Sequence, residues 1–199
     1  MDTKRVRDGF ATICAAIDTA LENTGMTNQV NIAIEGMCGS GKSTLGEALA
    51  GKYGCNLFHM DDFFLRPEQR TKERYSQPGG NVDYERFQTE VLEHLTDKGG
   101  FAYRRFDCRT MTLGETCEVS WNRLNIVEGA YSCHPYFGDV WQLRFFLEVP
   151  ADVQRERILA RNGAAMYERF AHEWIPLENR YFEFYRIREK CVVIPMDNV

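Results

Sequence analysis

One stretch of the sequence, residues 30–53, constrains the fold more than any other, because it combines a strand, a glycine-rich loop and a helix start. Residues 31–35 are an apolar-rich run that suits a short buried strand. Residues 36–43 then read G-x-x-x-x-G-K-S, and apolar residues follow at helical spacing at Leu45 and Leu49. This order predicts a loop that joins the carboxyl end of a strand to the first turn of a helix.

The residue types of this loop suit phosphate binding better than an ordinary glycine-rich turn at a helix start. Gly36, Gly39 and Gly41 lack a Cβ, so successive backbone N–H groups can turn toward one anion. The unpaired N–H groups and partial positive charge at the start of the following helix strengthen that attraction. In this motif Lys42 reaches the β- and γ-phosphates of a nucleotide, and the Ser43 hydroxyl binds Mg²⁺. The predicted nucleotide-binding set is Gly36, Met37, Cys38, Gly39, Ser40, Gly41, Lys42, Ser43 and Thr44.

Composition narrows the classes of function. The chain has 199 residues and 44% hydrophobic content, which is enough for a compact core in one domain. Its net charge of −5 argues against nucleic acid as a partner, because nucleic-acid-binding proteins usually carry a basic excess. No run approaches the ~20 apolar residues of a membrane span, and the basic N-terminus lacks the apolar stretch of a signal peptide. We therefore expect a cytoplasmic protein without a membrane partner.

Cysteine usage agrees with a reducing compartment. The seven cysteines form no C-x-x-C pair and show no regular spacing, so free thiols are expected. The dipeptide Cys133-His134 invites a metal-site interpretation, together with Cys108 and Cys117 upstream. The gaps match no common zinc pattern, so a structural zinc site is not expected.

Strand and helix signals alternate along the chain. Short apolar runs predict strands over residues 31–35, 55–60, 123–127, 143–149 and 192–194. Amphipathic spacing predicts a first helix over residues 3–24, with its apolar positions at Val6, Phe10, Ile13, Ile17 and Leu21. Strands that alternate with helices predict an α/β fold with a parallel sheet.

The remaining helices and a hairpin are predicted from caps and breakers. Asp83 is expected to cap a helix over residues 83–95, and Pro150 to start one that stops at Asn162-Gly163. Two further helices, over residues 166–175 and 177–190, are expected to be separated at Pro176. A β-hairpin is predicted from residues 101–108 and 116–121, with its turn near Gly114.

A polar segment, residues 66–81, is too long for a simple connection, and loops of this length are often functional. Its basic residues alternate with acidic ones and are Arg66, Arg70, Lys72 and Arg74. A solvated mixed-charge face is the favoured interpretation, and an anion-binding loop is the alternative.

Three sequence pieces in this order resemble the uridine kinase group of P-loop small-molecule kinases: GMCGSGKST at 36–44, HMDDFF at 59–64 and IVEGAY at 126–131. That group includes nicotinamide riboside kinases, a bacterial pantothenate kinase type and phosphoribulokinase. The hairpin segment 103–115 and the arginine-bearing segment 155–161 are also similar to it. The resemblance implies a P-loop NTPase three-layer sandwich with a mainly parallel five-stranded sheet, a substrate-side β-hairpin and an Arg-bearing lid helix.

The resemblance also implies an organisation of the chain. It implies a single kinase domain over residues 1–199, with a substrate-binding insertion at about 62–120 and a lid at about 151–170. It implies ATP and Mg²⁺ as ligands and a small-molecule hydroxyl compound as the second substrate. A nucleoside or ribosyl compound is the expected acceptor, and a homodimer is left open.

Roles for individual residues follow from the same resemblance. Asp61 falls where these kinases keep the carboxylate that accepts the proton of the substrate hydroxyl. Glu128 falls where they keep an acidic residue near Mg²⁺, and Arg157 and Arg161 match lid arginines that close on the phosphates, with Arg155 either a third or solvent-facing. The expected substrate-binding residues are Asp83, Tyr103 and Arg109.

The position of the predicted strands agrees with these roles. Ligands of open α/β sheets bind outside the carboxyl ends of the strands, where Gly36, Asp61 and Glu128 are all expected to emerge. Two other classes of function stay open. One is an ATP-hydrolysing module that acts on a partner protein. The other is a GTPase-type switch, although the D-x-x-G match at 97–100 follows a helix and no N-K-x-D motif occurs.

Overall fold

The computed structural model describes residues 3–196. Its strands are β1 (Val30–Gly36), β2 (Asn56–His59), β3 (Phe101–Asp107), β4 (Thr112–Val119), β5 (Leu124–Glu128), β6 (Leu143–Glu148) and β7 (Val192–Pro195). Its helices are α1 (Thr3–Asn23), α2 (Lys42–Tyr53), α3 (Lys72–Ser76), α4 (Tyr84–Glu90), α5 (Ala151–Arg169) and α6 (Ile175–Phe184). Of the predictions above, the domain limits 1 and 199 and the side chain of Val6 lie outside this description.

A five-stranded sheet in the order β2-β5-β1-β6-β7 forms the centre of the fold, and every pairing in it is parallel. β5 is buried along its whole length and β1 along almost all of its length, as is typical of parallel strands covered on both faces. In the register, Ile34 pairs with Glu128 and Gly36 pairs with Leu147. The carboxyl ends of these strands therefore meet at one edge of the sheet.

Apolar layers cover both faces of the sheet, which confirms the predicted three-layer α/β arrangement. On one face, the predicted apolar positions Ile13 and Ile17 of α1 and Leu49 of α2 pack against Ile32 of β1. On the other face, a larger aromatic cluster includes Phe58, Phe63, Phe87, Phe146, Tyr181 and Phe182. This second cluster joins the sheet to α4, α6 and the β3–β4 hairpin.

The β-hairpin forms as predicted, but its turn lies elsewhere. β3 ends at Asp107 and β4 begins at Thr112, so Gly114 lies inside β4 rather than in the turn. Asp107 makes the turn: its carboxylate accepts the Arg109 N–H at 2.8 Å and its carbonyl accepts the Met111 N–H at 2.8 Å. An aspartate that bonds its own downstream backbone nucleates a turn without glycine.

Three predicted helix limits are also wrong, and one of them is the end of the helix expected over residues 177–190, because α6 ends at Phe184. The helix expected over residues 83–95 ends at Glu90, and a short 3₁₀ turn, Leu92–His94, follows. Pro176 does not separate two helices, because it occupies the first turn of α6, where its missing N–H is tolerated. One wide helical turn, Phe170–Trp174, leads into α6 from α5. The predicted break at Gly163 is confirmed, since its φ of 77° and ψ of 170° interrupt α5.

Within residues 3–196, the helices are all too short or too polar to cross a lipid bilayer.

Candidate active site

The loop between β1 and α2 has the backbone conformation that its glycines predict. Gly36, Gly39 and Gly41 have positive φ angles of 142°, 73° and 96°. At Gly36, a Cβ would lie 2.3 Å from the carbonyl oxygen of Leu147 on the neighbouring strand, so a larger residue has no room there. The Lys42 Nζ donates to the carbonyl oxygens of Gly36 at 2.7 Å and Met37 at 2.9 Å, so the loop wraps around the ammonium.

A cavity of about 550 Å³ lies against this loop and brings together most of the predicted site residues. The predicted residues in its lining are Cys38, Gly39, Gly41, Lys42, Ser43, Thr44, Asp61, Glu128, Arg157 and Arg161. The lining joins the phosphate loop, the carboxyl ends of β2 and β5, and one side of α5. The structure thus places the lysine, the two carboxylates and both lid arginines around one space.

Asp61 lies in a 3₁₀ turn, Met60–Phe63, that follows β2 directly. Met60 and Phe63 are buried and anchor the turn, whereas the Asp61 side chain is exposed to the cavity. The surrounding protein removes part of the hydration of the carboxylate and thereby raises its pKa, and the nearby Glu128 raises it further. Lys42 opposes this shift because its positive charge favours the ionised carboxylate.

Glu128 ends β5 and is buried, with His59 as its partner across the sheet. The His59 ring donates through Nδ1 to Glu128 Oε1 at 2.5 Å, and this bond raises the pKa of the histidine. Sequence reasoning missed His59. His59 is the last residue of β2 and directly precedes the turn that contains Asp61. Once β2 is paired with β5, this position would have indicated that His59 lies beside Glu128.

The two arginines predicted to belong to a lid come from α5. Arg157 donates to the carbonyl oxygens of Gly39 at 3.2 Å and Met196 at 2.7 Å. Arg161 donates to the Asn162 side chain at 2.8 Å. Arg155 does not line the cavity and lies over the ring of Tyr167, so it takes the solvent-facing alternative.

The structure does not bring the three predicted substrate residues into the cavity lining. Asp83 is buried and caps α4, accepting the Arg86 N–H at 3.2 Å. Tyr103 belongs to the aromatic core, and its hydroxyl donates to Asp62 at 3.1 Å. Arg109 lies at the hairpin tip with 93% of its side chain exposed. The first two have structural partners that compete with a substrate role, and the third lies in solvent.

The basic segment agrees with the mixed-charge interpretation. Arg74 donates to Glu85 at 2.5 and 2.6 Å and to two backbone carbonyls, so it holds the segment against α4. Arg66 lies 3.6 Å from the buried Asp83 carboxylate, and Arg70 donates to the Leu65 carbonyl. These arginines are bound to other groups of the protein.

Two further carboxylates at this site were not predicted. Glu35, at the end of β1, is fully buried and accepts from the N–H groups of Gly36, Tyr131 and Cys133 and from the Tyr181 hydroxyl. Burial raises its pKa to about 7. An acidic residue inside an apolar strand was the available signal.

Glu178 of α6 is the second unpredicted carboxylate, and it lines the cavity. It accepts the N–H of Cys38 in the phosphate loop at 2.9 Å. Burial raises its pKa, and the Asp61 carboxylate adds to that shift. No local signal marks Glu178, because its contact spans 140 residues.

Comparisons with known proteins agree with this geometry. The model of the shikimate kinase family matches residues 38–103, about a third of the chain. A candidate uridine kinase from Bacillus stearothermophilus superimposes with a TM-score of 0.69 at 17% identity, over 95% of this chain and 98% of that one. A search of curated protein sequences gives no match.

Two other solved structures share the arrangement. A candidate fructose transport system kinase from Silicibacter sp. superimposes with a TM-score of 0.66 at 24% identity, over 94% of this chain and 97% of that one. D-glycerate 3-kinase from Cryptococcus neoformans superimposes with a TM-score of 0.60 at 14% identity, over 89% and 88% of the two chains. The chain therefore has the fold of the P-loop small-molecule kinases, as its sequence motifs predicted.

Proposed function

We propose that this protein is an ATP-dependent phosphotransferase that phosphorylates a hydroxyl group of a small metabolite, with a nucleoside or other ribosyl compound as the first candidate. One observation carries the proposal: the Asp61 carboxylate opens into the same cavity as Lys42 and Ser43 of the phosphate loop. A carboxylate at that place can orient an acceptor hydroxyl toward the terminal phosphate and take its proton.

The residues present fit both ATP and Mg²⁺. The positive φ angles of Gly39 and Gly41 shape a backbone concavity, and Lys42 adds a cation at its centre. Ser43 and Glu128 both line the cavity and offer oxygen ligands, the type that Mg²⁺ prefers. A bound Mg²⁺ would neutralise charge on the phosphates.

In the proposed transfer, one bond to phosphorus breaks, another forms, and one proton moves. The bond between the terminal phosphorus and the ADP oxygen breaks, the acceptor oxygen bonds to that phosphorus, and the hydroxyl proton passes to Asp61. Asp61 can take this proton late in the transfer because its carboxylate lies in the same cavity as Lys42 and Ser43. Lys42 and the lid arginines Arg157 and Arg161 stabilise charge on the transferred group.

The proposal is tested by measuring ADP release from ATP and Mg²⁺ with and without added alcohols. The panel contains nucleosides, nicotinamide riboside, pantothenate and sugar phosphates, and mass spectrometry identifies the phosphorylated product. We expect ADP release to depend on one class of acceptor. If ATP is hydrolysed at the same rate with each compound of the panel and without any of them, the proposal is contradicted. That result would favour a module that acts on a partner protein.

A further inference from the structure

The part of the cavity that remains for the acceptor has an unusual balance of charge. We define the acceptor wall as the nine lining residues that come from the 3₁₀ turn after β2 with the residue that follows it, the segment before α4, the loop after β5, and α6. They are Met60, Asp61, Phe64, Asn81, Val82, Gly129, Ala130, Tyr131 and Glu178. The wall contains two carboxylates, an amide, a phenol and four apolar side chains, and no basic residue.

The basic residues of the cavity lining lie elsewhere. Among the described residues that line it, the cations are Lys42, Arg157 and Arg161. Lys42 and Arg157 donate to carbonyl groups of the phosphate loop, and Arg161 comes from the same helix as Arg157. We assign all three to the phosphate side of the cavity, where ATP would use their charge. Glu178 accepts the Cys38 N–H of the phosphate loop and so lies at the border between this side and the acceptor wall.

Basic residues just outside the cavity are held by other groups. Arg66 and Arg105 lie 3.6 and 3.3 Å from the carboxylates of Asp83 and Asp62. Arg74 is bound to Glu85. An acceptor that carries a phosphate or carboxylate would thus face Asp61 and Glu178 without a matching cation on the acceptor wall.

Two carboxylates of the wall, Asp61 and Glu178, can accept hydrogen bonds from a ligand. Glu178 is 7% exposed, and Cys38 N–H holds its carboxylate at the cavity surface. Burial raises the pKa of Glu178, and the nearby Asp61 carboxylate raises it further, so the two carboxyl groups lie close enough to interact.

We infer that the acceptor alcohol carries no negative charge, and that Glu178 is the residue that selects against anionic acceptors. The acceptor presents hydroxyl or ammonium donors to Asp61 and Glu178. This inference rests on the proposed phosphotransferase function and narrows its substrate class. It separates the protein from kinases whose acceptor is an acid, such as the D-glycerate 3-kinase that shares its fold.

The first test compares acceptors that carry a different charge at one position. One set, varied at C5 of the base, is 5-aminomethyluridine, uridine and 5-carboxyuridine. A second set, varied at the 2-nitrogen of the sugar, is D-glucosamine, N-acetyl-D-glucosamine and N-sulfo-D-glucosamine. ADP release gives kcat/KM for each compound. We expect the cationic or neutral member of the productive set to exceed the anionic member by about tenfold or more.

Outcomes of this test separate the inference from the function on which it rests. An anionic member that equals or exceeds its neutral partner would overturn the inference and leave the phosphotransferase proposal standing. No acceptor-dependent ADP release with these sets or with the wider panel would overturn both.

The second test is Glu178→Gln, with Glu183→Gln as the matched control on the exposed side of the same helix. Glutamine keeps an oxygen that can accept the Cys38 N–H, so the loop contact is retained while the charge is lost. We expect discrimination against the anionic acceptor to fall by about tenfold in Glu178→Gln and to stay unchanged in Glu183→Gln. Equal discrimination in both variants, with a normal circular dichroism spectrum, would show that Glu178 does not select the acceptor.

Discussion

The two sides of the cavity are built in different ways. The phosphate side occupies one short segment, residues 36–44, and its shape follows from glycines at fixed positions. The acceptor wall is assembled from residues far apart in sequence, from Asp61 through Asn81 and Tyr131 to Glu178. A local motif can therefore specify a phosphate-binding loop, whereas the opposite wall of the same cavity depends on long-range packing.

Lys42→Ala is expected to have the largest effect on activity, because it removes the cation of the phosphate loop. Turnover should fall by on the order of 10³-fold or more, the scale of a charged group that stabilises phosphoryl transfer. Lys52→Ala on the exposed side of the same helix is the control and should keep full activity. Steady-state ADP release and the melting temperature of each variant measure the two effects. Normal turnover in Lys42→Ala would break the assignment of this loop to phosphate binding.

Asp61→Asn tests the other side of the comparison and is expected to be the second largest effect. The amide keeps the shape of the carboxylate but takes up no proton, so kcat should fall by about 10²–10⁴-fold. ATP affinity, measured by calorimetry, should change little, since Asp61 lies outside the phosphate loop. Equal losses in kcat and in ATP affinity would mean that Asp61 supports nucleotide binding and is not the base.

A pair of glycine substitutions measures how strictly the phosphate side is specified. Gly36→Ala should destabilise the protein by about 3 kcal/mol or more, because φ is 142° and the new Cβ would meet Leu147 backbone atoms. Gly51→Ala, in the same region on α2, should stabilise by about 0.5–1 kcal/mol, because nothing lies within 4 Å of its Cβ position. Urea unfolding gives both values. Similar stability of the two variants would show that the loop tolerates other backbone conformations.

The sequence specifies much of the sheet and the phosphate loop because both depend on local patterns. The buried strands appear as apolar runs, and the loop has glycines where positive φ angles occur. Asp61 could be placed from sequence because its motif resembles that of the uridine kinase group and follows a predicted strand, and ligands gather at such strand ends.

The features that sequence reasoning missed depend on distant partners. The sequence position of Asp83 suits both a helix cap and a substrate-binding residue. Only its contacts with Arg86 and Arg66 in the folded protein distinguish the two roles. Glu178 meets the phosphate loop because α6 packs against the aromatic face of the sheet, which no local pattern reports. The hairpin turn lies before the predicted position because the Asp107 side chain, rather than Gly114, closes it.

Glu35 joins the two sides of the cavity. Its carboxylate accepts from the N–H of Gly36 in the phosphate loop, from the N–H of Tyr131 in the acceptor wall, and from the Tyr181 hydroxyl of α6. The residue is fully buried, and burial raises its pKa from 4.5 to about 7. The link between the two sides should therefore respond to pH.

The direction of that response follows from proton binding. Between pH 4.5 and 7 the folded protein keeps a proton on Glu35 that the unfolded chain has released, so this residue's contribution to stability falls as pH rises. The loss should be on the order of 3 kcal/mol across that window. Urea unfolding at pH 5 and pH 7 should show this slope in the wild-type protein and a flatter one in Glu35→Gln, which binds no proton there. The same slope in both proteins would mean that Glu35 is already ionised at pH 5 and is stabilised by its N–H donors. The Glu35 carboxylate would then link the two sides of the cavity in its ionised form.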